Sequence, residues 1–284
     1  ASSTSPKRRR NHTDMTQEAA SVDASGAQTA ARDIAPNVNI LGAQLQDISR
    51  PELFRALEQG GALFTPNVDI IMRMRKDSEF REVMHRAEFR VCDSRIVQIA
   101  SRFLGTPIRE KISGSDFFGE YCAHHRNNRD VRVFLLGAGP GVADEAMRRV
   151  NLRLDAPVVI GAHSPSFGFE KNDSETDAIV EMINASGATV LAVGVGAPKQ
   201  EKWIMRHRHR MPAVKVFMGI GATIDFEAGA VRRAAPWVSA IGMEWLDRLL
   251  RNPRRLWRRY LVDDMPFLWL VLKQKLGLNV APRG

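Results

Sequence analysis

Cysteine is scarce in this 284-residue chain: Cys92 and Cys122 are the whole complement, and they form no CxxC spacing. That excludes a disulfide framework and a thiolate metal knuckle and favours a reducing compartment, with each thiol filling a small core position. Long apolar runs are also missing. Nothing approaches the roughly 20 consecutive apolar residues that a membrane-spanning helix needs, so the chain is not expected to cross a bilayer. At the N-terminus, Lys7 and Arg8 to Arg10 have no apolar stretch behind them, which is not the layout of a signal peptide. No Asp-x-Asp pair is present to grip a metal bound to a nucleotide diphosphate, so a departing diphosphate needs cationic side chains and helix N-termini. The histidines give no metal set either. His207 and His209 fall on different helix faces among Arg206, Arg208 and Arg210, the pattern of a solvated face, and His124 and His125 are adjacent.

Acidic residues are in deficit. Lys and Arg number 41 against 32 Asp and Glu, a net charge of +9, and the isoelectric point is near 10.0. Such a balance invites nucleic acid or anionic lipid as a partner, and the location of the charge decides between them. Residues 232 to 259 hold eight arginines against two acids, Glu244 and Asp247. In "LLRNPRRLWRRYL", Arg251, Arg254, Arg255, Arg258 and Arg259 gather on one helical face while Leu256, Trp257, Tyr260 and Leu261 fall opposite. Pro253 must lie in the first turn of that helix or mark a break. "MPFLWLVL" (265 to 272) follows, too short to span but able to enter a headgroup region, with Trp269 suited to the interface and Lys273 and Lys275 able to snorkel. Aromatics opposite arginines suit acidic lipid better than nucleic acid, since base readout needs no apolar face. The alternative is an arginine-rich helix packed on its own domain or on another subunit.

Residues 1 to 36 are too rich in Ala, Ser, Thr, Gln and Asp to bury much surface and read as disordered, with Met15 a candidate natural start and 1 to 14 a leader. From Val38 onward, short β-rich runs alternate with helical segments. Strands are predicted near Val38–Leu41, Ala62–Thr65, Phe89–Cys92, Arg109–Ile112, Val131–Leu136, Val158–Ile160, Val190–Val195 and Val214–Met218. Helices are predicted near Pro51–Gln59, Val68–Arg86, Ile96–Leu104 and Ser115–His125. The fold class is α/β: a Rossmann-like, mainly parallel sheet with helices on both faces over 37–245, plus a basic amphipathic helical C-terminal appendage over 246–284.

In such open sheets ligands bind beyond the C-terminal strand ends. There the chain reads "TPN" (65–67), "CDS" (92–94), "SGSD" (113–116), "GAGPG" (137–141), "GAPKQ" (196–200) and "GIGA" (219–222). Gly137, Gly139 and Gly141 lie between a strand and a helix, where bare amides and the helix dipole can hold phosphate; the alternative is a tight turn without a ligand. A dinucleotide-dependent oxidoreductase would use this loop, but Val142 stands where its third glycine belongs, and Gly161, Ala162 and His163 supply no acid after the next strand. Asp93 can act as a general base or cap the following helix. Thr65 and Asn67 can hydrogen-bond a sugar or phosphate, or simply form a turn and a cap. Asp225 and Glu227 can meet ribose or uracil, or water. After Pro198, Gln200 is expected to face substrate, Lys199 and Lys202 to hold phosphate or face water, and Glu201 to pair with a neighbouring base.

These motifs resemble the WecG/TagA/CpsF family of bacterial glycosyltransferases. The carriers are "TPNVD", "CDS", "KISGSD", "LLGAGPGVA", "GVGAPKQEKW", "GIGATIDFEAG", "RRAAPW" and "GMEWLDRLLRNPRRLWRRYL", from about Val38 to Leu261. The resemblance implies metal-independent, inverting transfer of a sugar from a UDP-sugar to an undecaprenyl-diphosphate-linked saccharide at the cytoplasmic face of the inner membrane. It places the base on Asp93, sugar contacts on Thr65, Asn67 and Gln200, a diphosphate cation on Lys111, and membrane binding on Arg251, Arg254, Arg255, Arg258 and Arg259. Relatives usually read Asp-Gly where this chain has Asp93-Ser94, and often Arg at position 111, where Lys offers a point charge instead of a two-pronged grip. The "TPNVD" and "CDS" wording resembles the xanthan-type branch, which implies UDP-glucose as donor; UDP-N-acetylmannosamine or its uronic acid is the alternative. A homo-oligomer is left open.

Overall fold

In a computed structural model, the described residues are 35–232, 246, 249–250, 253–258 and 262–280. Of the expected membrane-binding arginines, Arg251 and Arg259 lie outside them, as does the segment expected to be disordered up to residue 34.

An antiparallel hairpin, β1 (Asn37–Ile40) with β2 (Ala43–Gln46), comes first. Six strands then form one wholly parallel sheet: β3 (Gly61–Phe64), β4 (Phe89–Arg90), β5 (Val133–Gly137), β6 (Val159–His163), β7 (Val190–Gly194) and β8 (Val216–Gly219), in the order β4-β3-β8-β7-β5-β6. Successive residues of the central strands point into opposite cores. Phe134, Leu136, Leu191, Val193 and Phe217 join one apolar cluster, and Val133, Leu135, Val190, Ala192, Val216 and Met218 the other. An unbroken apolar run is therefore what a strand with both faces covered requires.

The helices are α1 (Arg50–Leu57), α2 (Val68–Lys76), α3 (Ser78–His85), α4 (Arg95–Leu104), α5 (Gly114–His124), α6 (Val142–Leu154), α7 (Asp173–Ser186), α8 (Lys199–His207), α9 (Thr223–Glu227), α10 (Pro253–Arg258) and α11 (Pro266–Lys275). The long helix expected over Val68–Arg86 is two. Asp77 is extended, and its carboxylate accepts from Phe80 N–H at 2.9 Å, ending α2 and capping α3. The strand expected at Arg109–Ile112 does not form. Gln98 donates to the carbonyls of Ile108 and Arg109, and Asp47 accepts from Arg109 N–H, so side chains satisfy that backbone in place of a ladder. β2 went unpredicted, being four residues with two glutamines. Gln46 nevertheless is buried and ties the hairpin to the β4 edge, donating to Glu88 O and accepting from Arg90 N–H.

Both cysteines are buried and unbridged. Pro253 opens α10, on which Arg254, Trp257 and Arg258 are exposed; Arg255 also lies in this helix. α11 docks through Phe267 and Val271, while Gln274 accepts from Leu41 N–H at 2.8 Å and donates to Asn39 O at 2.9 Å, fastening the helix to the hairpin. Its outer side carries Met265, Leu268, Trp269, Leu272 and Leu276, all exposed, at the spacing of one stripe. Among the described residues no helix is long and apolar enough to cross a membrane.

Candidate active site

Because the six strands are parallel, their C-terminal ends open on one edge. Chain order reverses between β5, which leads outward to β6, and β7, which leads back to β8. That is the switch point at which a crevice forms in open sheets.

The first half of this ledge is held by backbone bonds between loops. Asp93 N–H donates to Pro66 O at 3.2 Å, and Ile112 N–H donates to Cys92 O at 2.8 Å, so the "TPN", "CDS" and "KISG" segments lie side by side. Asp93 and Lys111 act on the same sulfur. Burial pushes the Cys92 thiol up to about 12, the Asp93 charge adds to the rise, and Lys111 opposes it. The thiol stays protonated at neutral pH, and both the Asp93 carboxylate and the Lys111 ammonium lie near enough to bear on its charge. Thr65 is half-buried beside the N-terminus of α5, where a side chain on Gly114 would come within 3.1 Å of its Oγ1. Asn67 is the N-cap of α2, its Oδ1 accepting from Ile70 N–H at 3.1 Å. Its NH2 is the part able to meet a ligand. Ser94 caps α4, and Asp93 stands just ahead of it.

The second half is glycine-built. Gly137 adopts φ +144°, and a Cβ there would strike the carbonyl of Gly194; Ala138 follows in the left-handed region at φ +61°. A non-glycine residue held there stores strain of the kind that collects at functional sites. Ala138 N–H donates to Gly194 O at 3.3 Å, and Ser164 Oγ donates to Gly139 O at 2.7 Å. Gly139 and Gly141 are exposed, but Asp144 and Glu145 occupy the first turn of α6 and answer its dipole. Positive charge for a phosphate must come from lysine. Lys199 stands at the rim, paired with Glu170 at 2.9 Å and lying 4.5 Å from the centre of the Phe167 ring. Phe167 is 99% exposed. The sequence reading missed it because a Phe set between Ser166 and Gly168 carries no periodic signal.

Three expectations change. Lys202 does not face phosphate or open water: it pairs with Asp77 at 2.9 Å and Glu79 at 2.6 Å, bracing α8 against α3. Gln200 is 3% exposed and is turned inward. Its Oε1 accepts from both Gly196 N–H and Gly221 N–H at 3.1 Å, tying the β7 loop to the β8 turn. Among the described residues Glu201 forms no ion pair with a base; it is 1% exposed and accepts from Gln200 Nε2 at 2.8 Å. Asp225 sits half-buried in α9, behind the Gly219–Ala222 turn, and Glu227 is buried and ion-paired to Arg153 at 2.7 Å. β6 runs on to His163, three residues beyond its expected end, with no acid there to take a ribose.

A carboxylate, a cation and hydrogen-bonding groups thus share one edge of the sheet with the glycine turns. The sequence profile of the glycosyl transferase WecG/TagA/CpsF family matches residues 38–281, the fold and the ledge together. The chain belongs to that family. It is a glycosyltransferase, and its transfer of a hexose unit is the activity the site must serve. A protein of Bacillus spizizenii is 31% identical over 204 residues, covering 72% of this chain and 76% of its own. Two proteins of Staphylococcus aureus strains are 29% identical over 253 residues, covering 86% of this glycosyltransferase and 95% of their own. All three are named N-acetylglucosaminyldiphosphoundecaprenol N-acetyl-beta-D-mannosaminyltransferase.

Proposed function

We propose that this glycosyltransferase moves N-acetylmannosamine from its UDP donor to N-acetylglucosamine carried on undecaprenyl diphosphate. The relatives' names support that donor and acceptor. They lend no support to glucose, the donor that the "TPNVD" and "CDS" wording suggested, and they favour the alternative reading.

The observation that carries the reaction is the backbone bonding that sets the Asp93 and Lys111 loops side by side with Thr65–Asn67. Asp93 takes the proton from the acceptor hydroxyl as that oxygen attacks the anomeric carbon, and UDP leaves from the opposite side, which inverts the centre. Lys111, Lys199 and the amides of Gly139 and Gly141 receive the diphosphate, with no metal required. Thr65 and Asn67 orient the sugar. Gln200 acts from behind by holding two loops together, and Asp225 lies on the nucleoside side.

The acceptor's lipid brings the enzyme to an anionic membrane surface, at the cytoplasmic side where UDP-sugars are available. The α11 stripe with Trp269 enters the headgroup region, and Arg251, Arg254, Arg255, Arg258 and Arg259 with Trp257 meet the phosphates. Nucleic acid has no part in this reading. UDP release is to be measured with UDP-N-acetylmannosamine, its uronic acid and UDP-glucose, against a lipid-diphosphate N-acetylglucosamine acceptor. Turnover confined to UDP-glucose, or undiminished in Asp93→Asn, would overturn the assignment.

A further inference from the structure

Glu201 is the one residue of the "APKQE" segment whose burial the transfer reaction leaves unexplained. Its Oε1 accepts from Gln200, but its Oε2 is buried with no hydrogen-bond partner. The charged groups facing it are Asp69 and Arg73 of α2, already joined to each other at 2.9 Å. The surroundings are close: a Cβ on Gly219 would lie 3.0 Å from Gln200 Nε2, 3.0 Å from Phe64 Cδ1 and 3.5 Å from Glu201 Oε1. A carboxylate oxygen enclosed without a donor costs stability that a leucine in the same place would not. Packing therefore gives no reason for a glutamate.

Its neighbour does. Gln200 Oε1 faces two backbone donors, Gly196 N–H and Gly221 N–H. Turning the amide over would set its NH2 against those N–H groups, so only one orientation works. In that orientation the NH2 points into the protein and needs an acceptor, and Glu201 Oε1 supplies it at 2.8 Å. Burial pushes the Glu201 carboxyl up to about 7, and in either protonation state Oε1 can still accept.

We infer that Glu201 is a positioning residue for the transfer: it holds the Gln200 amide in the orientation that ties the β7 loop to the β8 turn, and so fixes the spacing of the backbone walls around the donor. This rests on reading that crevice as the UDP-sugar site. Glu201 touches no substrate and acts through Gln200.

The test compares Glu201→Leu with Glu201→Gln in the full chain, measuring UDP affinity by calorimetry and donor KM and kcat by UDP release. The leucine variant removes the acceptor and should weaken UDP binding and raise donor KM about tenfold, with kcat changed far less. The glutamine variant keeps an acceptor in the same volume and should stay within about twofold of wild type. A leucine variant with wild-type donor affinity overturns the proposal, as does a glutamine variant as impaired as leucine. If the leucine variant does not fold, hydrogen exchange on the wild type and the glutamine variant decides. Gly196 and Gly221 amides should exchange more slowly than exposed Gly139 and Gly141 in both proteins; equal rates in either overturn the tie. Wild type that binds no UDP while keeping that protection removes the donor reading and leaves the tie standing.

Discussion

Glu88 and Glu201 are buried at opposite ends of the six-stranded sheet, and the two are treated differently. At the N-terminal end Glu88, 4% exposed, accepts from Ala62 N–H at 2.8 Å and from Arg208 through both oxygens at 3.0 and 2.8 Å. At the C-terminal end Glu201, 1% exposed, has one oxygen bonded and the other with nothing. One end closes a structure and the other holds a cleft open. A fully partnered buried charge is what a finished core tolerates; strained glycine turns and half-satisfied groups belong where a ligand completes the surface. Stability and activity should therefore separate by sheet end.

The sharpest way to break that separation is at Asp93. Asp93→Asn should lower kcat by about 10²- to 10⁴-fold, the usual worth of a general base, with Tm within a few degrees of wild type. A large fall in Tm would move Asp93 to the structural side. Glu88→Ala at the other end should cost about 3 kcal/mol in denaturant unfolding, toward the low end for breaking a buried pair because Arg208 keeps some access to water. Its folded fraction should turn over normally, and lost kcat at full folding would refute the division.

Smaller effects extend the comparison to the surface. Replacing Leu268 and Leu272 by Glu should abolish co-sedimentation with anionic vesicles and leave turnover on a short-chain, water-soluble acceptor analogue unchanged, since both residues are exposed on α11. Undiminished vesicle binding would take the membrane contact away from α11. The least expected effect is a pH slope. A carboxyl whose folded value, about 7 at Glu201, exceeds its ordinary 4.5 stabilises the fold while protonated, and that contribution is lost as pH rises from about 4.5 to 7. Wild type should lose a few °C of Tm over that window that Glu201→Gln does not lose, and parallel profiles would count against the buried, half-bonded carboxyl.

How much of this could be read from the chain follows from the range of the interactions. Strands buried on both faces announce themselves as apolar runs, so β3, β5, β7 and β8 were legible, and their ends located the ledge. Asp77 was missed as a boundary although Asp with Phe80 three residues on is a capping spacing; a continuous apolar period across 68–86 outweighed it. The Arg109–Ile112 segment has a strand's composition, but the bonds that decide its shape come from Gln98 and Asp47, far away in sequence. Glu201 reads as an ordinary helix-surface acid. Its enclosure comes from the close approach of Gly219 of β8 and Phe64 of β3, with α2 facing it. Local pattern thus revealed which loops meet, and long-range packing determined which side chains face inward.

The Gln274 amide, bonded on both sides to the β1 hairpin, has a consequence for geometry at a surface. A helix latched by two hydrogen bonds and two buried side chains does not swing on a tether. The ledge therefore stands at a constant height above whatever surface the outer stripe of α11 rests on. If that surface is the membrane of the proposed reading, the fixed helix sets a single reach between bilayer and Asp93, which suits an acceptor of one length, a lone sugar on its diphosphate carrier.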